Sequence, residues 1–443
     1  MKIHAIGGYS EVGKNMTCVE VGEDFFIFDM GLYLPPIVEL EEKENRYNSK
    51  ILRDIKAIPD DTVISNELKS RTRAILIGHA HLDHVGAVPY IAPQYRAGIY
   101  GTPFTIAVLR RIMDSEEIRL KNPLHVINSG SHFFINGKNT KYKIEFVTMT
   151  HSTIQTVMIA LHTPKGVFLY ANDFKFDNTP ILGPGPDWDK LKELGKLGVK
   201  ALVVDSLYAD DERKTPSEKV ARGLLEDVLL TTNNSNSLII VSTFSSHIAR
   251  LKSIVDFGRK LKRKIVFAGR SLEKYVSAAV EVKMCPFQKE VQIAKYRNQV
   301  NNFFKKINSR KKEYLVVCTG HQGEPDSVLD KISRDKTPLQ LAHGDHVIFA
   351  SKVIPTEINI ANRANLDKRL KARGVRIFDN VHVSGHAGRE DLRDFIDLVR
   401  PVNIIPAHGD IKKLSALADL AGEMGYKLGK NCHILQNGQS VVV

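Results

Sequence analysis

The chain has 443 residues, 43% hydrophobic and 26% charged, which is a length for roughly two or three domains and the balance of an ordinary globular protein. That composition excludes a mainly disordered chain, a collagen-like fibre and a small module that depends on disulfides. Lys and Arg exceed Asp and Glu by 63 to 50, a formal charge of +13. Such a surplus favours a polyanionic partner through counterion release, although solvated lysines produce the same arithmetic.

No apolar run reaches the roughly eighteen residues that cross a bilayer. The N-terminal stretch MKIHAIGGYSEVG lacks the features of a secretory leader. A soluble, cytoplasmic protein with no membrane partner is expected. Cys18, Cys285, Cys318 and Cys432 are far apart and form no CxxC pair, so they read as buried, reduced thiols.

In chain order, the first 205 residues read as short β-runs between polar turns: MKIHAI, MTCVEV, FFIFDM, RAILIG, YKIEFVTMT, TVMIALHT and GVFLYA. A helix is predicted over Phe104–Leu120. From Lys200 the rhythm changes. ALVVD, SLIIVST, KIVFAG and EYLVVCTG are apolar, β-branched runs, and most lead into an amphipathic stretch. That alternation predicts a mostly parallel sheet with helical crossovers. VRIFDNVHVSGHA and VNIIPAHGD follow, each leading into a helix.

The strongest chemical signal is His79-Ala-His81-Leu-Asp83-His84, which follows the run ending at Ile77 and precedes a helix predicted to start near Val85. Imidazole nitrogens and a carboxylate suit zinc or manganese. One short loop cannot aim four side chains at one ion, so the spacing points to a pair, with His79 and His81 toward one ion and Asp83 and His84 toward the other. A histidine-rich surface turn is the competing reading. Further candidates close other strands: Asp29, His151, Asp173 and His408. A single strand-end His or Asp is more often a turn or cap residue. Several together change that weighting, and a ligand as late as His408 would make the middle of the chain an insertion.

HAHLDH, followed by His151 and Asp173 and preceded by Asp29, resembles the metallo-β-lactamase fold. Asp205, His386 in HVSGHA and His408 in PAHGD resemble the extra motifs of its β-CASP branch. GGYSEVGKNM, DFKFD, STFSSHIAR, CTGHQGEP, GDHVIFAS and HVSGHAGREDL are similar to blocks of the ribonuclease J family across nearly the whole chain. The resemblance implies an α/β architecture: an αββα sandwich with an inserted, parallel α/β domain. Its boundaries are expected at 1–205 and 374–443 for the two parts of the sandwich and 206–373 for the insertion.

By the same resemblance, His79, His81 and His151 hold one metal, Asp83, His84 and His408 hold the other, and Asp173 bridges them. Asp29 orients ligands without binding metal. Two divalent ions, zinc first and manganese second, are the implied cofactors. Such a pair can activate water and stabilise both oxygens of an in-line displacement at phosphorus. His386 is expected near the scissile phosphate, with Asp205 orienting it or a ligand. Two departures stand out: STIQT follows His151 where many bacterial members have Pro and Asp, and His321 stands where Ser is common. The chain also ends soon after the last expected strand, without the C-terminal domain of many bacterial members, a plan that looks archaeal.

Ser245 and Ser246 open a helix after a strand, where free N–H groups face phosphate, and ordinary N-capping is the alternative. With His382, Ser384, Gly385 and His386 they are candidates for binding a terminal 5′-phosphate. The expected activity is 5′→3′ hydrolysis of single-stranded RNA from 5′-monophosphate ends, releasing 5′-mononucleotides; the alternative is an RNA endonuclease of the β-CASP type. His408 favours RNA over DNA, because DNA-processing relatives typically carry an apolar residue there. The partner is single-stranded RNA, and a homodimer is the expected assembly. The basic runs Gly258–Lys264 and Lys305–Lys312 either steer RNA or are solvated helix faces.

Overall fold

The computed structural model describes residues 1–40, 47–354 and 357–443. The chain forms two compact units. The first comprises Met1–Asn178, Gly183–Thr215 and Gly385–Val443, and the second Thr179–Leu182 and Pro216–Ser384.

In the first unit the described residues form two sheets. One has seven strands in the order Ser440–Val442, Lys2–Gly7, Met16–Val21, Asp24–Phe28, Thr72–Leu76, Gly98–Gly101, Leu124–Val126. The other has six, in the order Asn403–Ala407, Val199–Asp205, Gly166–Ala171, Val157–Thr163, Lys141–Thr148, His132–Asn136. Phe26, Phe28 and Leu76 of the first sheet pack with Phe146, Phe168, Tyr170 and Ile405 of the second in one buried core. Alternation along a strand sends the intervening residues the other way. Val167, Leu169 and Ala171 meet Leu191 and Leu194, Phe395, and Leu417 and Leu420 from three covering helices. Those helices are Trp188–Leu197, Arg389–Val399 and Ile411–Glu423. Strands buried on both faces read as continuous apolar runs, which is why GVFLYA and ALVVD lack polar alternation.

The late strand Asn403–Ala407 pairs in parallel with Val199–Asp205, Asp205 opposite Ala407. Residues some two hundred positions apart in the chain therefore end side by side. The insertion lies between them, and the compact units divide about ten residues later at each end than the expected 206 and 373. Residues just after Asp205 stay with the first unit, since Tyr208 bridges Gly388 and Thr215 Oγ1 donates to the His386 carbonyl. Arg376–Phe378 stays with the insertion because it pairs with His346–Phe349.

The second unit is built on a parallel six-stranded sheet, in the order Val291–Ala294, Lys264–Ala268, Tyr314–Cys318, Ile239–Ser242, His346–Phe349, Arg376–Phe378. Ile240, Val266, Val316 and Phe349 pack on Phe304, Ile307, Leu366 and Leu370. Because the strands run in parallel, Ser242–Ser246, Gly269 and Thr319–Gln322 lie together at the carboxyl edge. The basic runs lie at the opposite edge, ahead of Lys264 and Tyr314, which are themselves in register. There Arg259 pairs with Glu290 (3.1 Å), Lys260 with Glu226 (3.0 Å), Lys264 with Glu313 (2.8 Å) and Lys311 with Asp345 (2.7 Å).

Two helices differ from expectation. The helix predicted over Phe104–Leu120 spans Pro103–Glu116, because Glu117 adopts a left-handed conformation (φ 56°) that ends it. The helix expected near Val85 begins at Leu82, with His81 as its N-cap, so Asp83 and His84 sit on a helical turn rather than a loop. All four cysteines are buried and free. Among the described residues no helix is long and apolar enough to cross a membrane.

Candidate metal centre

Every residue of the expected ligand set lies in the first unit, Asp83 and His84 on the helical turn Leu82–Val85 and the others at the ends of strands. His79 and His81 follow Thr72–Leu76, His151 follows Lys141–Thr148, Asp173 follows Gly166–Ala171, and His408 follows Asn403–Ala407. Asp29, Asp173 and His408 share a positive φ of 58–59°. That left-handed turn is costly for a residue with a Cβ, and outliers of this kind concentrate at functional sites. All three residues are buried, at 0–1% exposure.

Three groups of potential ligand atoms result among the described residues. His79–His81–His151–Asp173 and Asp83–His84–Asp173–His408 correspond to the two expected sites, and Asp173–Asp205–His386–His408 overlaps the second. His81 Nδ1 is 3.1 Å from His79 Nε2 and 3.1 Å from His151 Nε2. Nitrogens bound tetrahedrally about 2.0–2.1 Å from a zinc ion would be separated by roughly 3.3–3.4 Å. In the second cluster His84 Nε2 lies 3.2 Å from Asp173 Oδ2 and 3.6 Å from Asp83 Oδ2, and His408 Nε2 lies 3.9 Å from Asp83 Oδ2. Asp173 faces both clusters, at 3.7 Å from His79 and His151 and 3.6 Å from His408.

The protonation of the first cluster suits a cation. In the second, burial would lower His84, but Asp173, Asp83 and Asp29 outweigh it and hold the ring well above the usual histidine range, so an ion there would take the place of its Nε2 proton. Burial, reinforced by neighbouring imidazoles, holds His79 and His151 well below the usual histidine range, and burial brings His81 down to about 4. Their lone pairs are therefore free at neutral pH. Burial would raise the Asp173 carboxyl, but His408, His84 and His386 outweigh it and keep the group ionised. Asp173 Oδ1 is buried and receives no hydrogen bond. Converging lone pairs beside a carboxylate oxygen that receives no hydrogen bond are what a bound divalent cation would satisfy, and the donor set fits one.

Hydrogen bonds on the far side of His84, His151, His386 and His408 select which nitrogen faces inward. Asp29 Oδ2 accepts from His84 Nδ1 (2.7 Å) and from the Tyr170 hydroxyl (2.9 Å), while its Oδ1 accepts from Gly78 N–H (2.8 Å). Asp29 thus orients His84 and the start of the histidine loop. His151 Nδ1 donates to the Gly385 carbonyl (2.7 Å). A Cβ at Gly385 would stand 3.0 Å from that ring and would press the imidazole back by a few tenths of an ångström. His386 Nδ1 bonds Asp205 Oδ2 (2.7 Å), and its Nε2 points to Asp173 Oδ2 at 4.0 Å. Burial pulls the His386 pKa down, but Asp205 and Asp173 raise it on balance to about 9.

Asn15 has a role that sequence reasoning missed. It is buried, its Nδ2 donates to the Asp83 carbonyl (3.0 Å), and its Oδ1 accepts from Asn172 (3.0 Å) and faces His408 Nδ1 at 3.0 Å. The Asp83 carbonyl fixes the amide's direction, so Oδ1 is the acceptor and His408 keeps Nε2 for the centre. The signal was its place in GGYSEVGKNM, but its partners lie at positions 83, 172 and 408. Gly31 belongs to the same arrangement: a Cβ there would fall 1.6 Å from the Asp83 carbonyl oxygen.

The remaining candidates, Ser245, Ser246, His382 and Ser384, belong to the second unit. Ser245 and Ser246 are buried and immediately precede His247, the N-cap of helix Ile248–Lys260.

Sandwich, insertion and histidine–aspartate centre define a metallo-β-lactamase-fold hydrolase carrying a β-CASP domain. Residues 68–206 match the metallo-beta-lactamase superfamily, 236–366 the ribonuclease J beta-CASP domain, and 372–435 the Zn-dependent metallo-hydrolase RNA specificity domain. The chain is 42% identical to a ribonuclease J of Methanocaldococcus jannaschii (99% of this chain, 98% of the relative). It is 41% identical to one of Pyrococcus abyssi (100% and 97%). It therefore belongs to the ribonuclease J family. A crystal structure of a protein of unknown function from Enterococcus faecalis V583 shares the fold, with a TM-score of 0.65 at 16% identity over 100% of this chain and 99% of that one.

Proposed function

We propose that this ribonuclease J family hydrolase degrades or matures single-stranded RNA in the 5′→3′ direction from 5′-monophosphate ends, releasing 5′-mononucleotides. The observation that carries the reading is the convergence of His79, His81, His84, His151 and His408 with Asp83 on Asp173. His79, His81 and His151 would hold one divalent ion and Asp83, His84 and His408 the other, Asp173 serving both. Zinc is the first choice, on the mixed imidazole and carboxylate donor set and the zinc-dependent family matched at 372–435. Bound there, the ions supply Lewis acidity and activation of water for in-line displacement at phosphorus.

The chain's own residues do the rest. His386, whose Nδ1 is held by Asp205 at 2.7 Å, neutralises charge on the scissile phosphate or gives its proton to the departing 3′-oxygen. The products then carry a 5′-phosphate and a 3′-hydroxyl. In the insertion, Ser245 and Ser246 at a helix N-terminus, with His382 and Ser384, offer donors for a terminal phosphate. As part of the same reading the enzyme works in the cytoplasm as a homodimer, and light scattering tests the assembly.

The deciding experiment uses one single-stranded RNA, labelled at a 5′-end that carries a monophosphate, a triphosphate or a hydroxyl, with zinc or manganese supplied. Immediate release of labelled mononucleotide, fastest from the monophosphate, is expected. Labelled fragments of intermediate length, indifferent to the end group, would replace this reading with an endonuclease.

A further inference from the structure

Arg250 is among the largest fully buried side chains of the protein. It lies in the first turn of helix Ile248–Lys260, just after Ser245 and Ser246. Its Nε and Nη2 grip the carboxylate of Glu218, Nη2 at 2.7 Å from Oε2, and its Nη1 donates to the Ala350 carbonyl at 2.7 Å. That carbonyl also accepts from Thr243 Oγ1 (3.0 Å), in the loop after strand Ile239–Ser242. Burial would raise the Glu218 carboxyl, but His247 and Arg250 outweigh it and hold it well below the usual carboxylate range. A buried ion pair of this kind contributes little net stability over an apolar replacement, so its value lies in what it holds in place.

Nη1 also reaches His382 Nδ1, at 3.3 Å. A guanidinium has only donors and does not release a proton in a protein. His382 Nδ1 must therefore be the bare nitrogen, and the ring hydrogen resides on Nε2. A second proton on the ring would set N–H against N–H beside a fixed cation. The ring is half-buried.

We propose that Arg250, braced by Glu218, is a positioning residue for end specificity: it fixes His382 as a neutral donor whose Nε2–H is offered to the terminal 5′-phosphate of RNA. This rests on the assignment of His382 to phosphate binding above. It adds to that assignment the two residues that decide whether His382 donates or accepts. Ordinary N-capping does not account for the arrangement, because Arg250 reaches across to a loop more than a hundred residues away and leaves that ring one tautomer.

The test compares kcat and KM for 5′-monophosphate and 5′-hydroxyl RNA in the metal-loaded enzyme and in Arg250→Lys, which keeps the charge but loses the planar fork. The preference for monophosphate is expected to fall about tenfold, the equivalent of one charge-assisted hydrogen bond, and to fall through KM. Preserved preference in Arg250→Lys, with wild-type preference present, would overturn the role of Arg250. Absence of preference in the wild type would instead remove the phosphate assignment itself, and the inference with it. Should the variant fail to fold, ¹⁵N spectra of histidine-labelled wild-type enzyme decide the matter. A His382 signal protonated at Nε2 supports the proposal, and one protonated at Nδ1 overturns it.

Discussion

Asp29 and His84 meet at 2.7 Å with both side chains fully buried, and that contact ties the histidine loop to a strand end fifty-five residues earlier. The carboxylate accepts the Nδ1 hydrogen and leaves Nε2 facing Asp83 and Asp173. Asp29→Asn puts an amide where a full charge stood, with a donor that competes for the same nitrogen. Metal affinity in the second cluster should drop about 10–100-fold, the usual consequence of losing such a partner. Chelator competition followed by elemental analysis measures it. An unchanged stoichiometry and affinity would show that Asp29 serves the fold alone.

Asn15→Ala removes the acceptor opposite His408 Nδ1 and the donor to the Asp83 carbonyl together. It leaves the Asn172 amide short of an acceptor as well. A cost of about 1–3 kcal/mol in the metal-free protein is expected from unsatisfied buried groups. The loss of metal affinity should be confined to one of two sites. Denaturant melts and metal titration report the two effects separately.

Asp205→Asn removes one of two carboxylates that keep the proton on His386. Against burial, Asp205 is the foremost of the groups that raise the His386 pKa, so in the variant that pKa should fall. A rate that depends on protonated His386 should lose activity at lower pH than the wild type does, so the alkaline limb of the kcat profile moves toward neutrality. Metal content should be unchanged. A profile that scales down without moving would assign Asp205 a purely structural part.

Glu145 tests the sheet rather than the site. It is buried between His162 (2.6 Å), Lys143 (2.9 Å) and Lys190 (3.1 Å). Burial raises its pKa, but the two lysines outweigh that and lower it to about 2 from an ordinary 4.5. A depressed folded-state pKa gives stability that is fully present above the unfolded value and is lost as pH falls toward the folded one. Glu145→Gln should therefore be less stable than wild type at pH 7, with the gap closing between about pH 4.5 and pH 2. Denaturant midpoints at pH 7, 5, 4 and 3 follow it.

By itself the sequence determined the chemistry of this protein. HAHLDH is local: four donor side chains within six positions need only a strand and a turn to converge, and both are encoded by nearby residues. The apolar runs around Phe168 and Val203 likewise announce strands buried on both faces. Tertiary structure alone decided the inner arrangement. Asp205 and His408 become neighbours only because Asn403–Ala407 returns to pair beside Val199–Asp205, a contact no local pattern encodes. The same holds for Asn15, whose importance comes from three partners scattered along the chain, and for the tautomers of His84, His151 and His382. Which nitrogen carries the hydrogen depends on what stands behind the ring, and in each case that group was brought there by folding.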